Sequence, residues 1–71
     1  MAEKQLETIM LSMGNGPHGH FEYEIHKVIF GGIEQYRLRL WDYKDKLKVR
    51  FAKTWEELDN CVPTLLQESL K

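Results

Sequence analysis

The chain has 71 residues, 42% hydrophobic and 30% charged, with a net charge of -1. That size allows one domain over residues 1–71, which buries only ~60% of its unfolded surface, so a homodimer is expected. The composition excludes disorder and low complexity, and the near-balanced charge excludes a generally basic coat while leaving room for a locally basic face.

A single cysteine, Cys61, excludes a disulfide framework and fits a reducing compartment. No apolar run reaches the ~18 residues of a membrane span, and the opening MAEKQLE lacks the apolar core of a signal peptide. The expectation is a cytoplasmic protein, nuclear if eukaryotic, with no membrane partner.

Residues 1–20 form an N-terminal segment and a glycine-rich loop. Leu6, Ile9, Met10 and Met13 fit one helix face, whereas Glu7–Ser12 also alternates as a strand does, and periodicity alone does not separate the two. Gly14–His20 (GNGPHGH) reads as a loop, because its glycines and proline disfavour regular structure.

Residues 21–52 read as antiparallel strands. Phe21, Tyr23 and Ile25 share a face, then Lys27 intrudes on it, and a β-bulge near His26–Lys27 would restore the alternation. Gly31-Gly32 reads as a two-residue hairpin turn. A simple register through it sets Ile25 opposite Leu38, Tyr23 opposite Leu40, Glu24 opposite Arg39 and Glu22 opposite Trp41. The bulge and this register compete.

A second hairpin spans Tyr36–Ala52. A two- or four-residue loop around Lys44-Asp45 pairs Leu40 with Val49, Leu38 with Phe51, Trp41 with Lys48 and Arg39 with Arg50. A three-residue loop would instead set core residues opposite charges unless a bulge intervened.

Residues 54–70 carry the signals of a helix. Thr54-Trp55-Glu56-Glu57 is a capping box, and Trp55, Leu58, Cys61, Val62, Leu65, Leu66 and Leu70 form an apolar stripe at helical spacing. Cys61, on that stripe, reads as a buried structural thiol. Pro63 removes one helical hydrogen bond, and the stripe runs in phase across it, so a kink is expected rather than a break. The fold class is therefore α+β: a curved antiparallel sheet of three to four strands with a C-terminal helix packed on one face.

In the expected register the other face gathers Arg37, Arg39, Trp41, Tyr43, Lys48 and Arg50. Single-stranded nucleic acid is held by cations on phosphates and aromatic rings under bases, so these six are the candidate binding residues, for single-stranded DNA or RNA. Glu22 and Glu24 fall on the same face and suit a mixed-charge protein interface better. The alternative function is a small interaction module, a regulator or inhibitor, docking a protein through that face. Two further readings are a solvated face of cross-strand ion pairs, and a face buried in the dimer itself.

His18, His20 and His26 lack a further ligand at metal spacing and read as solvated loop and sheet residues. Neither a phosphate-binding loop, a dinucleotide fingerprint nor a nucleophile elbow occurs. Neither catalysis, a metal nor a cofactor is expected.

The order of elements, with Lys27-Val28-Ile29-Phe30, Tyr36-Arg37-Leu38-Arg39-Leu40-Trp41 and Thr54-Trp55-Glu56-Glu57-Leu58, resembles the positive-cofactor-four transcriptional coactivators and their small bacterial relatives. The resemblance covers about residues 7–70 and favours a strand near residues 7–12. It implies homodimers joined through the C-terminal helices, with single-stranded DNA on the sheets and Arg37, Arg39, Trp41, Lys48 and Arg50 as the carried-over positions. Lys48-Val49-Arg50-Phe51-Ala52 departs from that family in lacking the Lys-Gly of its last strand, and Glu22, Glu24 and Pro63 are further departures.

Overall fold

Gly31 and Gly32 both take positive φ, 62° and 80°, the conformation that a primed two-residue turn requires and glycine accepts at no steric cost. Around this turn the computed structural model, which describes residues 3–71, builds four strands and a helix. They are β1 Lys4–Gly16, β2 Gly19–Phe30, β3 Ile33–Trp41, β4 Leu47–Ala52 and α1 Trp55–Glu68. The strands form one antiparallel sheet in the order β1-β2-β3-β4. With the helix on one face this is an α+β fold.

The first hairpin expected from Gly31-Gly32 holds in the simple register. Phe30 faces Ile33, Ile25 faces Leu38, Tyr23 faces Leu40, Glu24 faces Arg39 and Glu22 faces Trp41. The bulge anticipated in β2 at His26–Lys27 does not form in this pairing. The irregularities lie across the other edge of β2, in β1, where the register shifts between Gln5 and Glu7 and between Thr8 and Met10. β1 absorbs the mismatch because it is an edge strand with one paired side and free space on the other.

The segment 1–13 resolves as strand from Lys4 onward; its first two residues lie outside the described residues. Gly14–His20 departs from its expected loop, since β1 runs to Gly16, β2 starts at Gly19, and only Pro17 and His18 turn. The glycines serve the strand pairing. A Cβ at Gly14 would sit 2.7 Å from the Phe21 ring, so the ring lies across the β1 backbone because there is no side chain beneath it. Gly19 takes a φ of 122° to leave the turn. Gly14→Ala should therefore lower stability by about 1–3 kcal/mol through overpacking, read as a shift in the urea midpoint. A midpoint equal to wild type would mean that the ring lies elsewhere in solution.

The helix begins where Thr54, in extended backbone, accepts the Glu57 amide at 3.4 Å. It continues unbroken through Pro63. Leu58, Val62, Leu65 and Leu66 are buried against Ile25, Leu38 and Leu40. Cys61, expected within the stripe, is exposed instead. It borders the apolar stripe, and Leu58, Val62 and Leu65 fill the contact with the sheet. No helix among the described residues is long and apolar enough to cross a membrane.

Candidate interaction face

The position of the outer face depends on the β3–β4 loop. Asp42 and Lys46 close it, with the Asp42 amide donating to the Lys46 carbonyl at 3.0 Å and the Asp45 amide to the Asp42 carbonyl at 2.9 Å. Asp45 takes a left-handed φ of 59°. The loop proper is thus three residues, Tyr43–Asp45, ending in a left-handed residue, a common hairpin closure. Its register sets Leu40 opposite Lys48, Leu38 opposite Arg50, Arg39 opposite Val49 and Trp41 opposite Leu47. This is one residue away from the expected pairing, and a one-residue slip exchanges the faces of the whole strand.

The candidate residues therefore divide. Arg37, Arg39 and Trp41 stay on the outer face with their β2 partners His26, Glu24 and Glu22. Lys48 moves to the helix side, where Nζ donates to the Leu65 carbonyl at 3.2 Å and lies 3.9 Å from Asp42 and 3.7 Å from Glu68. Arg50 shares the face of Leu38 and is exposed, its guanidinium donating to the Val49 carbonyl at 2.8 Å. Tyr43, in the loop, packs on the helix side edge-on to Phe21, with 5.9 Å between ring centroids.

The two arginines left on the outer face are already paired. Arg37, only 6% exposed, forms an ion pair with Glu3 and donates to Gln5 Oε1 at 3.1 Å. Its Nη2 also lies 3.1 Å from His26 Nδ1. A guanidinium has no lone pair to offer, so Nδ1 is the acceptor and the ring proton belongs on Nε2. Burial first, and then the charge of Arg39, pull the Arg37 pKa below its ordinary value. Its Nε is buried without a partner among the described residues. Arg39 is ion-paired to Glu24 and lies over the Trp41 ring, 5.7 Å from its centroid.

The same register delivers a feature that the expected pairing hid in the core. Leu47, Val49 and Phe51 point outward and are 51%, 37% and 41% exposed. The Phe51 ring meets Phe30 at 5.5 Å, and Ile33 beside it is exposed too. On the opposite margin Leu11 and Met13 are exposed and border a depression of about 320 Å³ shared with Trp41, Glu22 and Glu24. Seven of the nine exposed large hydrophobics among the described residues belong to this face by register. These exposed apolar residues are grouped on one face of the sheet rather than scattered over the surface.

The three histidines do not converge, and no group of three or more His, Cys, Asp or Glu among the described residues is placed to hold a metal. His20 lies beside Asn15, His18 beside Tyr43 and His26 beside Arg37. Comparisons with family models, with curated proteins and with solved structures find no match to this chain.

Proposed function

We propose that this chain is a small protein-interaction module, a binding protein rather than an enzyme, and that a second copy of the same chain covers its outer sheet face. The observation that carries this reading is the outward row Leu47, Val49 and Phe51, exposed on the sheet face opposite α1. The chain measures about 40 × 19 Å across its two longest axes, comparable with the roughly 800 Å² per partner that a standard interface buries. Charge agrees with it, since Glu3 and Glu24 pair with Arg37 and Arg39 on this face, so two copies meet without a large like-charge penalty. Trp41 and Arg39, residue types favoured at interface hot spots, lie between the two apolar margins.

Sedimentation equilibrium tests the reading, from about 1 to about 200 μM, the range in which a standard-size interface associates. The expected result is a mass approaching twice that of the chain. A single-chain mass throughout would overturn it. Titration of a labelled single-stranded oligonucleotide at two salt concentrations provides the second arm. Nucleic-acid binding requires cations free to meet phosphates and a steep loss of affinity with salt. Tight, salt-sensitive oligonucleotide binding by a monomer would return the face to the single-stranded nucleic acid reading, with Arg39 and Trp41 as its centre.

A further inference from the structure

On the helix side of the sheet, away from the face proposed for self-association, α1 leaves part of β1 and β2 uncovered. The resulting groove has a volume of about 630 Å³, within the ~300–1,000 Å³ of small-molecule sites. One end of it is aromatic. The Phe21 and Tyr23 rings are stacked nearly parallel, 5° apart in tilt and 6.4 Å between centroids. Tyr43 stands edge-on to Phe21, at 87°, so the three rings form an aromatic corner. The glycine at position 14 is what lets the Phe21 ring take its place in this corner. Val62, Leu66 and Leu70 of the C-terminal segment add apolar lining.

Besides the tyrosine hydroxyls, the polar lining of the groove is Asp59, Ser12, Asn60, Gln67 and His18, whose ring lies 5.7 Å from that of Tyr43. Asp59 supplies its only carboxylate, and neither Lys nor Arg lines it among the described residues. The Tyr23 hydroxyl donates to Asp59 Oδ1 at 3.0 Å, which fixes the carboxylate beside the aromatic corner and leaves Oδ2 without a partner among the described residues. Burial, together with Asp59 and against the pull of Ser12, holds the Tyr23 pKa above its ordinary value, so the hydroxyl remains a donor. Aromatic faces attract a cation through their negative quadrupole, and a neighbouring carboxylate adds direct attraction.

From this geometry we infer that the groove is a binding site for a small organic cation, with a methylated ammonium head in the corner of Phe21, Tyr23 and Tyr43 beside Asp59. The volume exceeds what the head alone fills. The ligand therefore carries an apolar body, which lies along Leu66 and Leu70.

Titration of the full chain with benzyltrimethylammonium, followed by two-dimensional NMR, tests the inference. The expected result is saturable shifts of the Phe21, Tyr23 and Tyr43 ring signals. Choline, which lacks the apolar body, should bind more weakly. Its neutral isostere, with tert-butyl in place of trimethylammonium, should bind weaker than choline by about tenfold, the loss expected when only charge is removed. Asp59→Asn should weaken benzyltrimethylammonium by a similar factor while keeping the fold, because the amide oxygen still accepts from Tyr23. The absence of saturation up to about 10 mM, above the usual range of weak specific binding, would overturn the site. So would equal affinity for choline and its neutral isostere, a comparison that needs no variant.

Discussion

Asp42→Ala should destabilise the fold by about 2–4 kcal/mol, because one buried carboxylate holds the β3–β4 loop and its loss strands charged and polar partners together. Asp42 is 3% exposed, and its Oδ1 accepts the amides of Lys44 at 2.9 Å and Lys46 at 3.0 Å. Lys48 Nζ, itself drawn under the helix end, lies 3.9 Å from Oδ2. For a chain of this size the melting temperature should fall on the order of 10–20 °C. Asp42→Asn, which keeps an acceptor and loses the charge, should fall between the two. A variant as stable as wild type would mean that the loop is held by its backbone alone.

The same carboxylate makes a pH prediction. Burial on its own would raise the Asp42 pKa, but the amides of Lys46 and Lys44 and the charges of Lys48 and Lys46 outweigh it, leaving the pKa below the ordinary 3.8. A carboxylate depressed in the folded state stabilises the fold above the unfolded value and loses that contribution as pH falls through the folded one. The stability gap between wild type and Asp42→Asn should thus be constant near neutrality and close as pH drops below 3.8. Urea unfolding of both proteins along a pH series measures it, and a gap that persists at the acid end would assign the effect to shape rather than charge.

Asp42 also explains which parts of the fold were legible in the sequence. Gly31-Gly32 admits one turn chemistry, so the first hairpin and its register could be counted. Thr54-x-x-Glu57 and the leucine spacing defined the helix start and its buried face in the same way. Leu47–Phe51, by contrast, alternates apolar with charged residues, which by pattern alone turns the apolar set inward, whereas the loop length sets the opposite face. The loop carried a signal. Asp42 is suited to open a turn and accept the amide two residues on, and Asp45 is among the few non-glycine residue types that tolerate a left-handed φ. Together they specify three loop residues, where Lys44-Asp45 read as a dipeptide did not. That choice removed Lys48, Arg50 and Tyr43 from the candidate face and placed Leu47, Val49 and Phe51 on it. The extension of β1 to Gly16 was hidden for a different reason. Its glycines look like loop residues until the Phe21 ring is placed over Gly14.

Val49→Asp should separate the proposed pair of chains, raising the dissociation constant by about 100-fold or more while leaving the isolated fold nearly intact. Val49 lies at the centre of the outward row and directly opposite Arg39. In a single chain the new carboxylate meets that arginine across the strands, a pairing that offsets much of the poor strand preference of aspartate. In the assembled pair it would be buried against the apolar row of the second copy, and a loss of roughly 2.7 kcal/mol already accounts for a hundredfold weakening. Arg50→Asp, one residue along the same strand but on the face of Leu38, provides the control. It changes the charge of the β4 edge without touching the outer face, so face-to-face association predicts no effect and edge-to-edge pairing of β4 predicts a loss comparable with that of Val49→Asp. Sedimentation of the two variants beside wild type distinguishes the arrangements, and unchanged association in Val49→Asp would remove the outward row from the interface altogether.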